Sequence, residues 1–208
     1  MADSIKYALS NDGGNPASGG TFSNLTNAYA DDANLANCLS VTRSQNHTVR
    51  YYNFDMGIPL GSIINSVNVE VEWKVDTTAS VATLSLQIAK GVTKQGSALT
   101  NTSEPTSLTT ESTSTNGTWT AAELNDNTSG TGLSVIMSFT QGADNDDINF
   151  SWNYLKITVD YDPPSYQTFT KVSGTWEPVT AVSVKVGGSW KTVNAGYKKI
   201  SGAWQQIY

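Results

Sequence analysis

Between residues 67 and 75 the chain alternates strictly. Val67, Val69, Val71, Trp73 and Val75 share one face, and Asn68, Glu70, Glu72 and Lys74 share the other. A period of two predicts a strand with one face against a core and one toward water. Leu84, Leu86 and Ile88 repeat the pattern with Ser85 and Gln87 facing out. Leu155, Ile157, Val159 and Tyr161 do so against Lys156, Thr158 and Asp160. Thr48–Asp55, Leu133–Thr140 and Ile148–Trp152 are further short apolar or aromatic runs that read as strands. Residues 7–28 are rich in Gly, Asn, Ser and Thr and read as an irregular N-terminal arm, with confident strands beginning only after His47.

Helical signals are few. One helical turn is expected somewhere in Tyr29–Leu39. Thr120-Ala-Ala-Glu123 fits the reciprocal capping arrangement of a short helix start. The Ser/Thr-rich stretch 100–118 reads as an edge strand or a loop. Strands at this spacing, without helices long enough for parallel crossovers, predict an all-β antiparallel sandwich of jelly-roll type over residues 1–162. Pro163-Pro164 ends the last strand, because neither residue donates to a ladder and both backbones are fixed.

Residues 165–208 form a different object. KVSGTWEPV starts at Lys171, KVGGSWKTV at Lys185 and KISGAWQQI at Lys199, each 14 residues after the last. Repeats in register are a strong architectural signal. Ser173-Gly174, Gly187-Gly188 and Ser201-Gly202 read as two-residue hairpin turns, which tolerate positive φ. Such a turn places Lys171 opposite Trp176, Lys185 opposite Trp190 and Lys199 opposite Trp204, each an ammonium–aromatic pair worth roughly 0.5–1 kcal/mol when exposed. The six side chains are candidate partner or oligomer contacts. Trp176, Trp190 and Trp204 serve either as the core of this small module or as a strip for sugar rings or a partner chain. A hairpin of this size is marginal alone, so a homo-oligomer is expected, with a trimer as the first choice.

Composition adjusts this picture modestly. Only 38% of residues are hydrophobic and 14% charged, and the balance is made up by Thr, Ser, Asn and Gly, which favour strands and turns. Net charge is −6, divided unevenly. Residues 1–164 carry 17 acidic against 7 basic side chains, while residues 165–208 carry five lysines and only Glu177. An acidic body argues against nucleic acid as its partner, and no apolar run has the length of a membrane span. The first residues have no apolar core of a signal peptide, and the single cysteine, Cys38, rules out an intrachain disulfide, so a cytoplasmic origin is expected.

Chemistry-bearing motifs are sparse. His47 is the sole histidine, with Ser44 nearby, and no Gly-x-Ser-x-Gly elbow accompanies them, so His47 is expected at the surface beside a strand. One His and one Cys do not make a zinc site. Asp144, Asp146 and Asp147 carry carboxylates at calcium-like spacing but lack the central glycine and distal glutamate of an EF-hand loop. Asp31-Asp32 is shorter still. The expectation is a non-enzymatic protein without cofactor or metal.

A family resemblance rests on particular segments. Asp31-Asp32-Ala33-Asn34, Ile64-Asn65-Ser66-Val67-Asn68-Val69 and Leu155-Lys156-Ile157-Thr158-Val159-Asp160-Tyr161 resemble a jelly-roll module of tailed-bacteriophage structural proteins, spanning residues 24–161. Leu35 stands where that pattern often has an aromatic. The tail resembles the Lys-Val-x-Gly-x-Trp repeats that end many phage tail and virion proteins. The resemblance implies a virion component, assembled in the bacterial cytoplasm, that contacts other capsid, tail or baseplate proteins: a decoration or cement protein, or a head or tail fibre. The alternative is a carbohydrate-binding module or receptor-binding adhesin, with a host-surface glycan as partner.

Overall fold

The computed structural model describes residues 2–17, 20–41, 45–76, 82–115, 118–142 and 147–164, and in the tail the strands Phe169–Val172, Thr175–Pro178, Ser183–Val186, Ser189–Thr192, Tyr197–Ile200 and Ala203–Gln206. The chain divides into two compact units, Met1–Pro163 and Pro164–Tyr208.

In the first unit the strands are β1 (Ala2–Tyr7), β2 (Ser10–Asn11), β3 (Thr21–Ser23), β4 (Ala36–Val41), β5 (Asn46–Tyr52), β6 (Ile63–Val75) and β7 (Ala82–Lys90). They continue with β8 (Thr93–Lys94), β9 (Leu99–Asn101), β10 (Thr109–Thr115), β11 (Leu133–Gln141) and β12 (Ile148–Asp162). A 3₁₀ turn covers Leu25–Tyr29 and a one-turn helix, α1, covers Ala121–Leu124. One antiparallel sheet runs β10-β6-β12-β4-β3, with β1 also on β12; the other runs β2-β5-β11-β7-β8, with β9 also on β7. Together they make the all-β, jelly-roll-like sandwich expected from the pattern. β3 and β4 are neighbours in one sheet, but from β4 to β7, and again from β9 to β12, each strand lies in the opposite sheet from the one before it. Among the described residues no helix is long and apolar enough to cross a membrane.

The inward faces are those the alternation marks. Val67, Val69, Val71, Trp73 and Val75 are all within 1% of full burial, as are Leu84 and Leu86. Burying each such side chain stabilises the fold by about 1.5–3 kcal/mol. Large aromatics fill the centre. Phe139 of β11 lies 4.9 Å from Trp152 and 5.0 Å from Phe150 of β12, and Phe150 stacks at 6.1 Å on Trp73 of β6. Buried Trp152 donates its indole N–H to the Tyr51 hydroxyl of β5 at 3.0 Å. Tyr51 in turn donates to the Leu25 carbonyl at 3.2 Å, so the polar tips of Trp152 and Tyr51 are satisfied. The buried Trp73 indole N–H, by contrast, has no hydrogen-bond partner among the described residues.

Several expectations need correction. The N-terminal arm is not wholly irregular: β1 pairs with β12 from Ala2↔Tyr161 to Tyr7↔Lys156. β1 shows no apolar alternation in sequence because Ile5 lies on the exposed side, at 56%, while Ser4 and Lys6 lie on the more buried one. The helical turn sits at Leu25–Tyr29, earlier than expected, and β4 takes up Ala36–Val41 instead. The runs Ile148–Trp152 and Leu155–Tyr161 are one 15-residue strand, β12. Its register against β6 shifts between Trp152 and Leu155. At the same place its other edge changes partner from β4 to β1. A bulge there puts two residues opposite fewer partners and interrupts the alternation that a sequence reading relies on.

The tail strands are β13 to β18, in the order given above. They pair as three separate two-stranded sheets, β13-β14, β15-β16 and β17-β18. Lys171 lies opposite Trp176, Lys185 opposite Trp190 and Lys199 opposite Trp204 in backbone register. The turn residues between the paired strands lie outside the described residues.

Tyr51→Phe tests the cross-sheet link. The variant keeps the ring but leaves the Trp152 N–H and the Leu25 carbonyl without this partner in the core, which should lower unfolding free energy by about 1–3 kcal/mol in a urea titration. A change below a few tenths would show that the bond contributes nothing.

Candidate functional site

The loops at one end of the sandwich build the most organised surface of the first unit. After β5 the chain reads Asn53-Phe54-Asp55-Met56-Gly57-Ile58. Asn53, Asp55 and Gly57 adopt φ of 60°, 48° and 65°. These residue types tolerate left-handed backbone best. Between them Phe54, Met56 and Ile58 are at most 2% exposed. The alternation looks like a strand and is a peg-and-kink loop.

Neighbouring segments are fastened to this loop by side-chain amides. Asn125 accepts from the Ile58 N–H at 2.9 Å and donates to the Ile58 carbonyl at 2.7 Å, occupying the place of a strand partner. Asn127 accepts from the Asp55 N–H at 3.2 Å. Gly91 (φ 56°) donates to the Gly132 carbonyl at 2.8 Å, and a Cβ there would collide with the Gly130 carbonyl. Arg50 reaches across to the Ser129 carbonyl at 2.9 Å.

α1 stands in the middle of this end. Thr120 and Glu123 form the capping box foreseen from the sequence: the Glu123 N–H donates to the Thr120 hydroxyl at 3.2 Å, and the Glu123 carboxylate accepts from the Thr120 N–H at 2.8 Å. Glu123 also pairs with the Lys90 ammonium at 2.7 Å. The same ammonium donates to the Thr118 carbonyl at 3.0 Å and lies 4.9 Å from the centre of the Trp119 ring. The Lys90 hydrogen bond, with the Thr120 cap behind it, holds the Glu123 carboxyl below the usual carboxylate range. Asp126 is held low as well, first by the Thr131 hydroxyl at 2.5 Å and then by the Thr128 N–H at 2.9 Å.

Two grooves flank α1 and meet at Ala122. The first, about 580 Å³, runs between Leu60–Ile64 and Thr118–Ala122 and is largely apolar. Leu60 is 68% and Ile63 67% exposed along it. The second, about 520 Å³, is lined by Lys90, Thr93 and Gln95 on one side and by Glu123, Asp126 and Thr131 on the other. Each falls in the roughly 300–1,000 Å³ range of small-ligand sites.

Sequence reasoning found the capping box here and nothing else of the site. Lys90, Gln95 and Asp126 belong to separate segments, and no spacing links them. The residues it singled out stand elsewhere. Backbone register sets Lys171, Lys185 and Lys199 opposite Trp176, Trp190 and Trp204, while their side-chain surroundings lie outside the described residues. So do Ser44, Asp144 and Asp146. Asp31 is a partner of Asn153, whose amide at the β12 bulge bridges Asp31 and Glu72 at 2.9 Å each and accepts from the Ala33 N–H at 3.2 Å.

No family model and no curated protein matches the chain. Solved structures resemble the sandwich at low identity. One is the family 11 carbohydrate-binding module from Clostridium thermocellum in complex with a β-1,3-1,4-mixed-linked tetrasaccharide, at 14% identity and TM-score 0.40, covering 76% of this chain and 96% of that one. A second is the xylan-binding module CBM15, at 16% identity and TM-score 0.37, covering 76% and 92%. A third is a xylanase, Xylanase10C from Cellvibrio japonicus, in complex with xylopentaose, at 14% identity and TM-score 0.41, covering 78% of this chain; the chain spans only 28% of that enzyme. The likeness extends to the strand sandwich and no further.

His47 is not the surface residue expected. It is fully buried, because in β5 it faces inward with Val49 and Tyr51. Its Nδ1 accepts from the Ala17 N–H at 3.1 Å, and a Cβ on Gly20 would strike the ring. Burial lowers its pKa below the usual 6.5. An imidazole harder to protonate when folded makes the unfolded chain take up the extra proton. Stability is therefore full above the unfolded value and falls as the pH drops toward the lower folded pKa. Urea midpoints should decline between about pH 7 and 5, and His47→Gln should flatten that decline. An equal slope in both proteins would remove His47 as its source.

Proposed function

We propose that the chain is a non-enzymatic recognition protein whose sandwich binds carbohydrate at the α1 end, and whose tail joins it to an assembly. The observation that carries this reading is the pair of grooves that share Ala122. It sets an apolar wall beside a rim of amide, hydroxyl and carboxylate groups that are already held in place. Oligosaccharides present that mixture, with hydroxyls at the ring edge and C–H groups on its faces. Side chains fixed by their own hydrogen bonds lose little freedom when they take up such a ligand.

Ala122 is exposed and sits where the grooves join, so Ala122→Trp fills the grooves without touching the core. Isothermal titration against a panel of neutral oligosaccharides should show binding by the wild type and at least a tenfold loss in the variant. Failure of every oligosaccharide to bind, or equal binding by the variant, would overturn the reading.

A second reading, that of a phage virion structural protein, is carried by the tail. Three identical-pattern hairpins, each a four-residue pair with open edges, gain most by packing on other copies. On this reading the protein is a homo-oligomer, a trimer, attached to capsid, tail or baseplate partners through Lys171, Trp176, Lys185, Trp190, Lys199 and Trp204. A sandwich that binds host-surface glycan at the outer end of a fibre satisfies both readings. Every described residue of the sandwich's core cluster precedes Pro163, so residues 1–163 should fold alone. Light scattering should give an oligomer for the full chain and a monomer for 1–163. A monomeric full chain at micromolar concentration would sink the assembly role.

A further inference from the structure

We infer that this pair of grooves selects a neutral sugar carrying a methyl-terminated substituent, such as an N-acetyl group or a 6-deoxy carbon, and rejects carboxylated sugars. This rests on the carbohydrate reading above and specifies its ligand.

The charge arrangement decides the neutral part. The polar groove holds one cation, Lys90, and two carboxylates, Glu123 and Asp126. Lys90 is committed to Glu123 at 2.7 Å and to the Thr118 carbonyl at 3.0 Å, with the Trp119 ring beneath it. Recruiting that ammonium to a ligand carboxylate would strip Glu123 of its counter-ion beside Asp126. Asp126 has only hydroxyl and amide partners, from Thr131 and Thr128, so the groove keeps a net negative charge. A uronate or other acidic sugar meets uncompensated repulsion there, while neutral hydroxyls find acceptors at Asp126 and donors at Gln95.

The apolar groove decides the substituent. Leu60 stands at the tip of a turn, Pro59–Ser62, closed by the Ser62 N–H to the Pro59 carbonyl at 3.1 Å with Gly61 at φ 88°. Together with Ile63 it leaves a large apolar surface in water. The groove is narrowed on its far side by the Thr118–Ala122 segment. A bare sugar hydroxyl placed here loses water without gaining a partner at Leu60 or Ile63. A methyl group covers part of both side chains, and one such group in an apolar pocket is worth roughly tenfold in affinity. The two grooves adjoin only at Ala122, so one ligand with a polar body and an apolar branch fills both.

The test is titration of the full chain with four oligosaccharides of similar length: an N-acetylglucosamine tetramer, a glucose tetramer, a 6-deoxyhexose-containing oligosaccharide and an oligogalacturonate. The expected order puts either methyl-bearing ligand about tenfold above the glucose tetramer, with the galacturonate weakest. The first and third ligands separate the two sources of the methyl group. Leu60→Ser with Ile63→Ser should erase the methyl preference, bringing both methyl-bearing ligands down to the affinity of the glucose tetramer for the same variant, and neither side chain is part of the core. Asp126→Asn should raise galacturonate affinity. Equal binding of methylated and plain neutral sugars, or preference for the galacturonate, overturns this inference while leaving carbohydrate binding intact. No binding to any of the four overturns both.

Discussion

The first unit is held together at one point above all: the inner face of β12, where Phe150 and Trp152 meet Phe139 and Tyr51 of the opposite sheet. β12 is bonded on both edges, to β6 along one and to β4 and β1 in turn along the other. Among the described strands it is the longest, at 15 residues, and it pairs with three others. A shift in its position would displace both sheets at once. The hydrogen bond from Trp152 to Tyr51, and on to the Leu25 carbonyl, makes the stacking directional, because an apolar contact alone tolerates sliding and a buried donor does not.

With the sheets fixed, the loops at the α1 end are arranged by a second device. Side-chain amides and carboxylates take the places that strand partners would hold. Asn125 clamps Ile58 from both sides, and Asn127 and Asp126 cap neighbouring amides. The excess of Asn and Thr that lowers the chain's hydrophobic fraction is therefore put to use. These residues fasten irregular backbone where no ladder reaches. Backbone fastened this way holds its shape without a strand partner.

The tail follows a different logic. Its three hairpins have regular pairing and repeated chemistry, but each is a sheet of two four-residue strands. Regularity without bulk gives a unit whose stability comes from neighbours, within the chain or outside it.

The sequence by itself determined the inward faces, the capping box and the Lys–Trp register of the tail. Each of these depends on residues within about a dozen positions of one another, and period and turn chemistry act at that range. Tertiary structure decided the rest. Because most long strands of the sandwich pair with strands far from them in sequence, as β12 does with β1, β4 and β6, that pairing was not legible. The bulge at Asn153–Tyr154 split one strand into two apparent ones. The left-handed kinks at Asn53, Asp55 and Gly57 dressed a loop as a strand. His47 looked like a surface residue because its burial comes from β5 facing inward beneath Ala17 and Gly20, some 30 residues away. The pair of grooves around Ala122 draws on segments from Leu60 to Thr131. Only the packing of the two sheets brings them together, so its chemistry had no signature along the chain.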